Sequence, residues 1–330
     1  MNYPSFFLSV FCLVFLASCA SPPVATPVLT YVVDHGSLSV HFCPSEPCEK
    51  LLDDFLSSAH TSLHCALYDF NLRNTSILLH NLSKTLDVRI VIDEDNQKKL
   101  QNLSDIPFVV DHGGGLMHNK FCVADGHSLF TGSMNPTLRD TTMNNNNLIF
   151  ISSDFIAQQY EREFYVLWNQ SKKIPHHAPQ IILDDIPVGL YFCPKDDCAD
   201  KVVQELRKAQ RSIFFMTFSF THHGIGNALL SKMNQSVEVK GVFEKTQLND
   251  FTLYPVLRFQ GADVRLDGNK YNMHHKVFII DNETVITGSF NPTKNADERN
   301  DENLLIIKDK KIAEQFLEEF FMVFSSSPKH

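Results

Sequence analysis

The feature of this sequence that most constrains its fold is an internal repeat. The pattern Phe-Cys-Pro-x-x-x-Cys occupies residues 42–48 and returns 150 residues later at 192–198. From Met117 onward the two copies align at an offset of 156 residues without a gap, as far as Asn147 in the first copy and Asn303 in the second. A unit of about 150 residues has the size of an ordinary domain, so the chain is expected to fold as two similar halves.

The repeat also predicts the domain boundaries. The first copy covers residues 28–173, and the second covers residues 181–330. Residues 174–180 lie between the copies and contain two prolines, so they are predicted to form a linker. Residues 1–27 precede the repeat and need a separate explanation.

Each copy shows the alternating helix and strand patterns that are typical of an α/β protein. A helix with spaced apolar residues comes first, two short apolar strands follow, and a helix closes the unit. The predicted segments are 49–59, 63–68, 88–92 and 157–168 in the first copy, and 200–209, 213–218, 239–243 and 312–321 in the second. This order predicts an α/β sandwich with two similar halves. Because 43% of the residues are hydrophobic, the chain can fill both cores, which excludes intrinsic disorder.

The N-terminus predicts export. Residues 6–16 form an apolar run that suits the hydrophobic segment of a signal peptide and is short for a membrane-spanning helix. Residues 16–19, Leu-Ala-Ser-Cys, resemble a bacterial lipobox, in which Cys19 would become the lipidated first residue of the mature protein. Residues 20–27 would then be a tether. A plain secretory signal and an uncleaved membrane anchor are the alternatives, so the protein is expected to be a cell-envelope lipoprotein or secreted.

The cysteine content fits that compartment. The two repeated pairs, Cys43 with Cys48 and Cys193 with Cys198, are predicted to form local disulfides in an oxidising space. A four-cysteine zinc site is the alternative, although the usual C-x-x-C spacing is absent. The cysteines at positions 65 and 122 lie in apolar strand patterns and are expected to be buried small hydrophobic side chains.

The chemistry of the chain is carried by a motif that both copies contain, H-x-K-x4-D-x6-G-S-x-N. Its residues are His118, Lys120, Asp125, Ser133 and Asn135 in the first copy, and His274, Lys276, Asp281, Ser289 and Asn291 in the second. The motif opens an apolar strand, in which residues two positions apart share a face, so each His is expected to point the same way as its Lys.

The remaining motif residues are predicted from the turn that follows this strand. Asp-Gly at 125–126 and Asp-Asn at 281–282 are turn dipeptides, which predict a hairpin that returns the motif Asn to the His-Lys end. Asp125 and Asp281 are therefore expected to be structural. Two such sets that face each other would surround a phosphate with imidazoles, ammoniums and amides. This set suits phosphodiester cleavage without a metal, because the ammoniums and amides can stabilise the phosphoryl oxygens.

The motif resembles the signature of the phospholipase D superfamily, the HKD phosphodiesterases, and the resemblance covers nearly the whole mature chain. It implies a tandem-duplicated α/β/α sandwich: two pseudo-symmetric halves, each with a mixed sheet, and one active site at the seam. It also implies a phosphohistidine mechanism that needs no metal or other cofactor. Because both motifs lie in one chain, a monomer is expected to be complete.

The resemblance suggests roles for individual residues. The family pattern places a carboxylate 28 residues after the motif His, where it bonds the imidazole; the second copy has Glu302 there and the first copy has Asn146. We therefore expect Glu302 to bond His274, raise its pKa and make it the general acid. His118, paired with Asn146, is expected to be the nucleophile. The motif serines at 133 and 289 are expected to bind substrate, with capping of the loop as the alternative.

The motif specifies the reaction class better than the substrate. A phospholipid is favoured because the chain is predicted to reach a membrane surface through its N-terminus and is rich in Phe. Four aromatic residues lie near strand ends that face the predicted seam: Tyr68, Phe70, Phe218 and Phe220. Core packing is the favoured interpretation of these side chains, and an apolar mouth that accepts acyl chains is the alternative. Nucleic acid, cut by an exported endonuclease, is the alternative substrate; the net charge of −9 disfavours it. Transfer to an alcohol and a non-catalytic binding role are further alternatives, and two intact motifs disfavour the last.

Overall fold

The computed structural model describes residues 31–103, 105–171 and 180–329. The predicted leader and tether at 1–27, with the lipidation site Cys19, and the linker residues 174–179 lie outside these ranges. The predicted domain boundaries therefore remain predictions.

Helices and strands alternate along both copies. The first contains β1 (Tyr31–Asp34), β2 (Ser37–Cys43), α1 (Cys48–Ser57), β3 (Ser62–Leu67), α2 (Arg73–Leu82), β4 (Asp87–Asp93), β5 (Phe108–Asp111), β6 (Lys120–Ala124), β7 (Ser128–Gly132), α3 (Leu138–Thr142), β8 (Asn146–Ser152) and α4 (Asp154–Trp168). The second contains β9 (Gln180–Leu183), β10 (Ile186–Cys193), α5 (Cys198–Lys208), β11 (Ser212–Thr217), α6 (His223–Met233), β12 (Glu238–Phe243), α7 (Tyr254–Phe259), β13 (Asp263–Leu266), β14 (Lys276–Ile280), β15 (Thr284–Gly288), α8 (Lys294–Glu298), β16 (Glu302–Lys308) and α9 (Lys310–Ser326). Short 3₁₀ segments occupy Glu94–Leu103 and Lys245–Gln247.

The strands of each copy form one mixed sheet, and the two sheets share a topology. In the described ranges the first sheet has the order β2-β8-β7-β6-β3-β4-β5, and the second contains the equivalent order β10-β16-β15-β14-β11-β12-β13. In both sheets the last three strands pair in parallel, and the others of this series pair antiparallel. The second sheet is extended at its edge by β9 and by β1, which pairs with β9 across the copies. The prediction of a duplicated α/β sandwich with two mixed sheets is confirmed.

A shared core holds the halves together. It combines the inner faces of both sheets with the apolar faces of the two long helices α4 and α9. Tyr160 and Phe164 on α4 and Phe316 and Phe320 on α9 are fully buried in it. Two further cores lie on the outer faces, under α1 and α2 in the first half and under α5, α6 and α7 in the second. Because much of the apolar surface is buried between the halves, their relative position is set by packing.

The described cysteines form three disulfides. Cys43–Cys48 and Cys193–Cys198 are bonded as predicted, with Cα–Cα distances of 5.9 and 5.7 Å, which excludes the zinc alternative for these four side chains. The other two are buried, as expected, but they are also bonded to each other. They lie directly opposite on the adjacent strands β3 and β6, a pairing that the sequence pattern did not predict.

No helix in the ranges 31–103, 105–171 and 180–329 has the length and apolar character needed to cross a membrane.

Candidate active site

The two motifs meet where the halves exchange backbone hydrogen bonds. Two isolated parallel bridges cross the seam, one between Met117 and Asp301 and one between Asn145 and Met273. The N–H of His118 donates to the carbonyl of Asp301 at 2.9 Å, and in the equivalent bond the N–H of His274 donates to the carbonyl of Asn145 at 2.8 Å. Each motif histidine is therefore fixed beside the first residue of a strand that belongs to the other half.

Because of these bridges, the imidazole of each motif histidine bonds a side chain from the other half. Nδ1 of His118 lies 2.8 Å from Oε2 of Glu302, and Nδ1 of His274 lies 2.8 Å from Oδ1 of Asn146. The expectation that Glu302 bonds His274 and Asn146 bonds His118 was therefore wrong. The physical reason is the pair of bridges, which places residue 302 next to the first motif and residue 146 next to the second.

The histidines and lysines of both motifs are buried at the seam and lie as the strand pattern predicted. Nζ of Lys120 donates to the carbonyl of His118 at 2.7 Å, and Nζ of Lys276 donates to the carbonyl of His274 at 2.5 Å. The four side chains are between 0% and 10% exposed. Both His-Lys pairs therefore present their polar groups to the same interior space.

An aromatic ring packs against each pair. The ring of Tyr68 contacts the His118 imidazole edge to face, with centroids 4.8 Å apart, and Phe218 contacts His274 in the same way at 4.7 Å. The ammoniums of the two lysines lie 5.1 and 5.0 Å from the same two aromatic centroids. For Phe70 and Phe220 the interpretation as core residues is confirmed, because each is only 1% exposed and belongs to an outer core.

Burial dominates the electrostatics of the site. It lowers the pKa of His118 to about 4, although the carboxylate of Glu302 opposes the shift, and it lowers the pKa of Lys120 to about 8. Burial and the neighbouring lysines lower the pKa of His274 well below its ordinary value. The charges of Lys120 and Lys276 act on both imidazoles, which means that the two motifs form one electrostatic unit.

The motif serines hold the groups that bond the histidines. Oγ of Ser133 donates to Oδ1 of Asn146 at 3.1 Å, and Oγ of Ser289 donates to Oε2 of Glu302 at 2.6 Å. Both hydroxyls also accept a backbone N–H at 2.9 Å, and both side chains are fully buried. These contacts favour a role within the loop over direct contact with substrate.

The motif asparagines lie in the loops after β7 and β15. Asn135 is 7% exposed, and its Nδ2 donates to Oδ2 of Asp140 at 2.7 Å, while Asn291 is half-buried. Oδ1 of either asparagine has no hydrogen-bond partner among the described residues. Asp140 was missed by the sequence analysis. The available signal was an acid on α3 at a position where the aligned residue of the second copy is Ala296.

The motif aspartates lie at the other end of the hairpins. Asp125 and Asp281 both have positive φ, 56° and 54°, and each carboxylate accepts the backbone N–H groups that lead into β3 or β11. These hydrogen bonds outweigh the opposing effect of burial and lower the pKa of Asp125 to about 2. This is the structural position that the turn pattern predicted.

The residue between His and Lys points away from the site in both motifs. His275 is fully buried, with Nδ1 3.1 Å from Nδ2 of Asn147 and Nε2 3.1 Å from Oε1 of Glu319. In the equivalent position, Oδ1 of Asn119 accepts from Nδ2 of Asn303 at 3.0 Å. These bonds tie the halves together beneath the site. No group of three or more His, Cys, Asp or Glu side chains in the described ranges could hold a metal ion.

Comparison with known proteins agrees with this geometry. The family model described as "Cardiolipin synthase, PLD-like domain" matches residues 52–168 and again residues 202–323. The chain is 35% identical over 144 residues to a phospholipase D of Rickettsia typhi, an alignment that covers 43% of this chain and 71% of that protein. It is 33% identical over 150 residues to the mitochondrial cardiolipin hydrolase of Homo sapiens, covering 43% of this chain and 58% of that protein.

A solved structure shows the same two-half fold. The phosphatidylserine synthase of Haemophilus influenzae superposes with a TM-score of 0.65 over 88% of each chain, at 13% identity, a likeness that concerns the fold alone. The family match covers both copies of the repeat and includes both motifs. The chain therefore belongs to the phospholipase D-like family and is a phosphodiesterase of the phospholipase D type.

Proposed function

We propose that the protein hydrolyses the head-group phosphodiester of a phospholipid, through a phosphohistidine and without a metal ion. The observation that carries the proposal is the joining of the two His-Lys sets at one buried site by the hydrogen bonds His118–Glu302 and His274–Asn146. Two imidazoles can divide the roles of nucleophile and acid, and two ammoniums can neutralise a phosphodiester.

The crossed partners support His118 as the nucleophile, for a reason that differs from the sequence argument. A carboxylate only accepts hydrogen bonds, so the contact with Glu302 requires the proton of His118 on Nδ1. Nε2 then carries a lone pair, and a pKa of about 4 keeps this ring neutral at pH 7. Once Nε2 is phosphorylated the ring becomes cationic, and the carboxylate 2.8 Å away stabilises that cation.

The proposed reaction has two displacements. In the first, the Nε2 lone pair of His118 forms a bond to phosphorus as the bond to the head-group oxygen breaks, and that oxygen takes a proton from Nε2 of His274. In the second, a water oxygen bonds to phosphorus as the phosphorus–nitrogen bond breaks, and the water proton passes to His274. The ammoniums of Lys120 and Lys276 stabilise the phosphoryl oxygens in both steps. Attack by an alcohol in place of water would give transfer.

Two observations favour a phospholipid as substrate. The aromatic rings of Tyr68 and Phe218 pack on the two imidazoles and are only partly buried, so they offer apolar surface beside the reacting phosphate. The relatives described above are named for phospholipase D and cardiolipin hydrolase activity. The predicted N-terminal attachment would hold such an enzyme at its substrate surface.

Nucleic acid is the second candidate substrate, and one observation favours it. A cavity of about 810 Å³ beside the first half is lined in part by Arg73, Lys98 and Lys99. Its lining also includes Asn71, whose Oδ1 accepts the N–H of Leu138, the first residue of α3, which follows the first motif. Basic side chains next to the first motif suit the phosphodiester backbone of a nucleic acid.

We propose an oxidising compartment for the protein, either the cell envelope or the exterior. The three disulfides support this location, because such bonds persist mainly outside the reducing cytoplasm. We further propose that the monomer is active, since one chain supplies both His-Lys sets.

The test uses the full chain in detergent micelles with EDTA and compares phosphatidylcholine, cardiolipin and a single-stranded oligodeoxynucleotide. We expect head-group release from a lipid by the parent protein and none by His118→Asn. Quenching in SDS at alkaline pH, where a phosphorus–nitrogen bond persists, and peptide mapping at the same pH after a single turnover should place the phosphoryl group on His118. Cleavage of the oligonucleotide alone would replace the lipid proposal with the nuclease, and loss of activity in EDTA would refute metal independence. Phosphate on His274 would reverse the two roles.

A further inference from the structure

The charge balance at the seam points to a second carboxylate. The ammoniums of Lys120 and Lys276 are almost completely buried, and one half supplies Glu302 beside them. The other half has the neutral Asn146 at the equivalent position. Buried charges are normally paired, so a compensating acid is expected nearby.

Asp140 on α3 fills that position. Its side chain is 6% exposed, and its Oδ2 lies 3.7 Å from Nδ1 of His274. The same oxygen accepts both the backbone N–H and the Nδ2 of Asn135, at 2.8 and 2.7 Å. Its other oxygen accepts from Nδ2 of Asn144 at 2.6 Å. The carboxylate is therefore fixed in orientation next to the imidazole that Asn146 bonds.

The two halves carry their acid at different positions of the repeat. In the second half the aligned residue is Ala296, and the carboxylate lies at Glu302. In the first half the carboxylate lies at Asp140, and position 146 is an amide whose Nδ2 donates to the carbonyl of Asp140 at 3.3 Å. Each half thus brings one acid next to a motif imidazole: Glu302 contacts His118, and Asp140 lies 3.7 Å from His274.

We propose that Asp140 is a positioning residue that stabilises the protonated form of His274 and orients Asn135 towards the phosphate, in place of the carboxylate that position 146 lacks. The inference rests on the proposed role of His274 as general acid. A proton donor surrounded by cations needs a compensating anion.

Four other titratable groups around His274 act in the opposite direction. Lys276 and His275 adjoin it in the motif, and Lys120 and His118 face it from the other half; each of these disfavours the imidazolium. Glu302 is directed to the other histidine, through Nδ1 of His118. The buried acid Glu244 bonds the backbone N–H of Met273. Asp140 is the acid that directly faces His274 in the part of the chain that the structure describes.

The test measures the protonation of His274 directly and the effect of Asp140 on the turnover rate. The imidazole of His274 is titrated by ¹⁵N NMR in full-length parent protein and in Asp140→Asn, with His274→Asn to assign the signal. We expect the His274 titration in Asp140→Asn to move to lower pH by about one to three pH units, the effect of losing an opposite charge at this distance. The kcat for phosphatidylcholine should fall at least about tenfold at pH 7, with the alkaline side of its pH profile moving the same way.

A compensating variant separates this role from a structural one. The double variant Asp140→Ala, Asn146→Glu places the acid where the second half has it, and it should regain both the parent titration and the parent pH profile. Glu298→Gln, an exposed acid on the equivalent helix α8, is the matched control and should change neither. A His274 titration that is the same in Asp140→Asn and in the parent would overturn the inference. So would a double variant that folds but keeps the Asp140→Asn titration.

The two proposals fail separately. If His274→Asn retained phosphodiesterase activity, the general-acid role would be wrong, whatever the titration of His274 showed. If His274→Asn were inactive and Asp140→Asn titrated like the parent protein, only the role of Asp140 would be wrong.

Discussion

Replacing Glu302 with glutamine tests the proposed role of His118 with little change in shape. Glu302 is fully buried, and its Oε2 accepts from His118 Nδ1 and from Oγ of Ser289, while Oε1 accepts from Nδ2 of Asn300 at 3.2 Å. A glutamine oxygen can keep the first two bonds. Its amide would then face Nδ2 of Asn300, so the substitution removes one weak hydrogen bond and the negative charge.

The charge accounts for most of the expected effect. Two unit charges 2.8 Å apart attract by ~6 kcal/mol at an effective dielectric constant of 20. Because the positive charge of a phosphorylated imidazole is spread over the ring, we take about half of this, or ~3 kcal/mol, as the loss in the intermediate. Each 1.36 kcal/mol corresponds to a factor of ten, so kcat should fall about a hundredfold.

The protonation of the free enzyme should not contribute to this loss. Glu302 raises the pKa of His118 against the effect of burial, so its removal lowers a pKa that is already about 4. The ring is therefore neutral at pH 7 in both proteins. The whole decrease in kcat should reflect a less stable covalent intermediate.

The assay is steady-state hydrolysis of phosphatidylcholine, combined with quenching in alkaline SDS to measure accumulated phosphoenzyme. We expect a hundredfold lower kcat across the neutral range, a small change in KM, and less phosphoenzyme; Glu298→Gln serves as the control. Activity within threefold of the parent would refute the stabilisation argument. A loss confined to high pH would show instead that Glu302 holds a proton on His118, which would make His118 the general acid.

Two further predictions concern the hairpins that carry the motifs. Asp125 has a folded pKa of about 2 against an ordinary value of 3.8, so its stabilising effect is present above pH 3.8 and is lost as the pH falls towards 2. Because solvent screens this exposed position, urea unfolding at pH 7 should show that Asp125→Asn lowers the free energy of unfolding by about 1 kcal/mol, and this difference should disappear near pH 2. The control Asp250→Asn, at an exposed acid, should leave the free energy of unfolding unchanged. An equal loss at both pH values would contradict the link between the pKa and stability. Gly132 has a φ of 130°, and a Cβ there would lie 2.5 Å from the carbonyl oxygen of Asn147. Gly132→Ala should therefore lower the free energy of unfolding by about 2–4 kcal/mol in the same experiment. Gly114→Ala, with open space around its Cβ, is the control, and equal stability of the two variants would refute the steric argument.

The elements of the fold were predictable because their signals are local. The helices at 49–59 and 200–209 were predicted within a few residues of α1 and α5, and the strand at 88–92 lies inside β4. The turn residues of the motif hairpins also behave as predicted: Asp125, Gly126, Asp281 and Asn282 all have positive φ, the conformation that favours Gly, Asn and Asp in hairpin turns. Spacing and turn chemistry suffice for such features because each depends on neighbours in sequence.

The contacts that were missed depend on which strands become neighbours. The disulfide between positions 65 and 122 requires β3 and β6 to be adjacent and in register, and no spacing in the sequence specifies this pairing. Phe70 and Phe220 lie beyond the ends of their strands, where alternation no longer fixes the direction of a side chain, so the sequence left a mouth position open for them beside core packing. The crossed histidine partners depend on the bridges at Met117 and Met273, which exist only when both halves are assembled.

Fusion of two copies in one chain explains why the site can be asymmetric. In a symmetric pair of identical chains, every substitution occurs twice, so both histidines must have the same partner. Here the copies differ in sequence, and His118 contacts Glu302, while His274 contacts Asn146 and has Asp140 3.7 Å away. In the proposed mechanism the nucleophile carries a covalent cation, whereas the acid gains and releases a proton in each turnover. Different partners suit these tasks, and a duplicated chain can supply them.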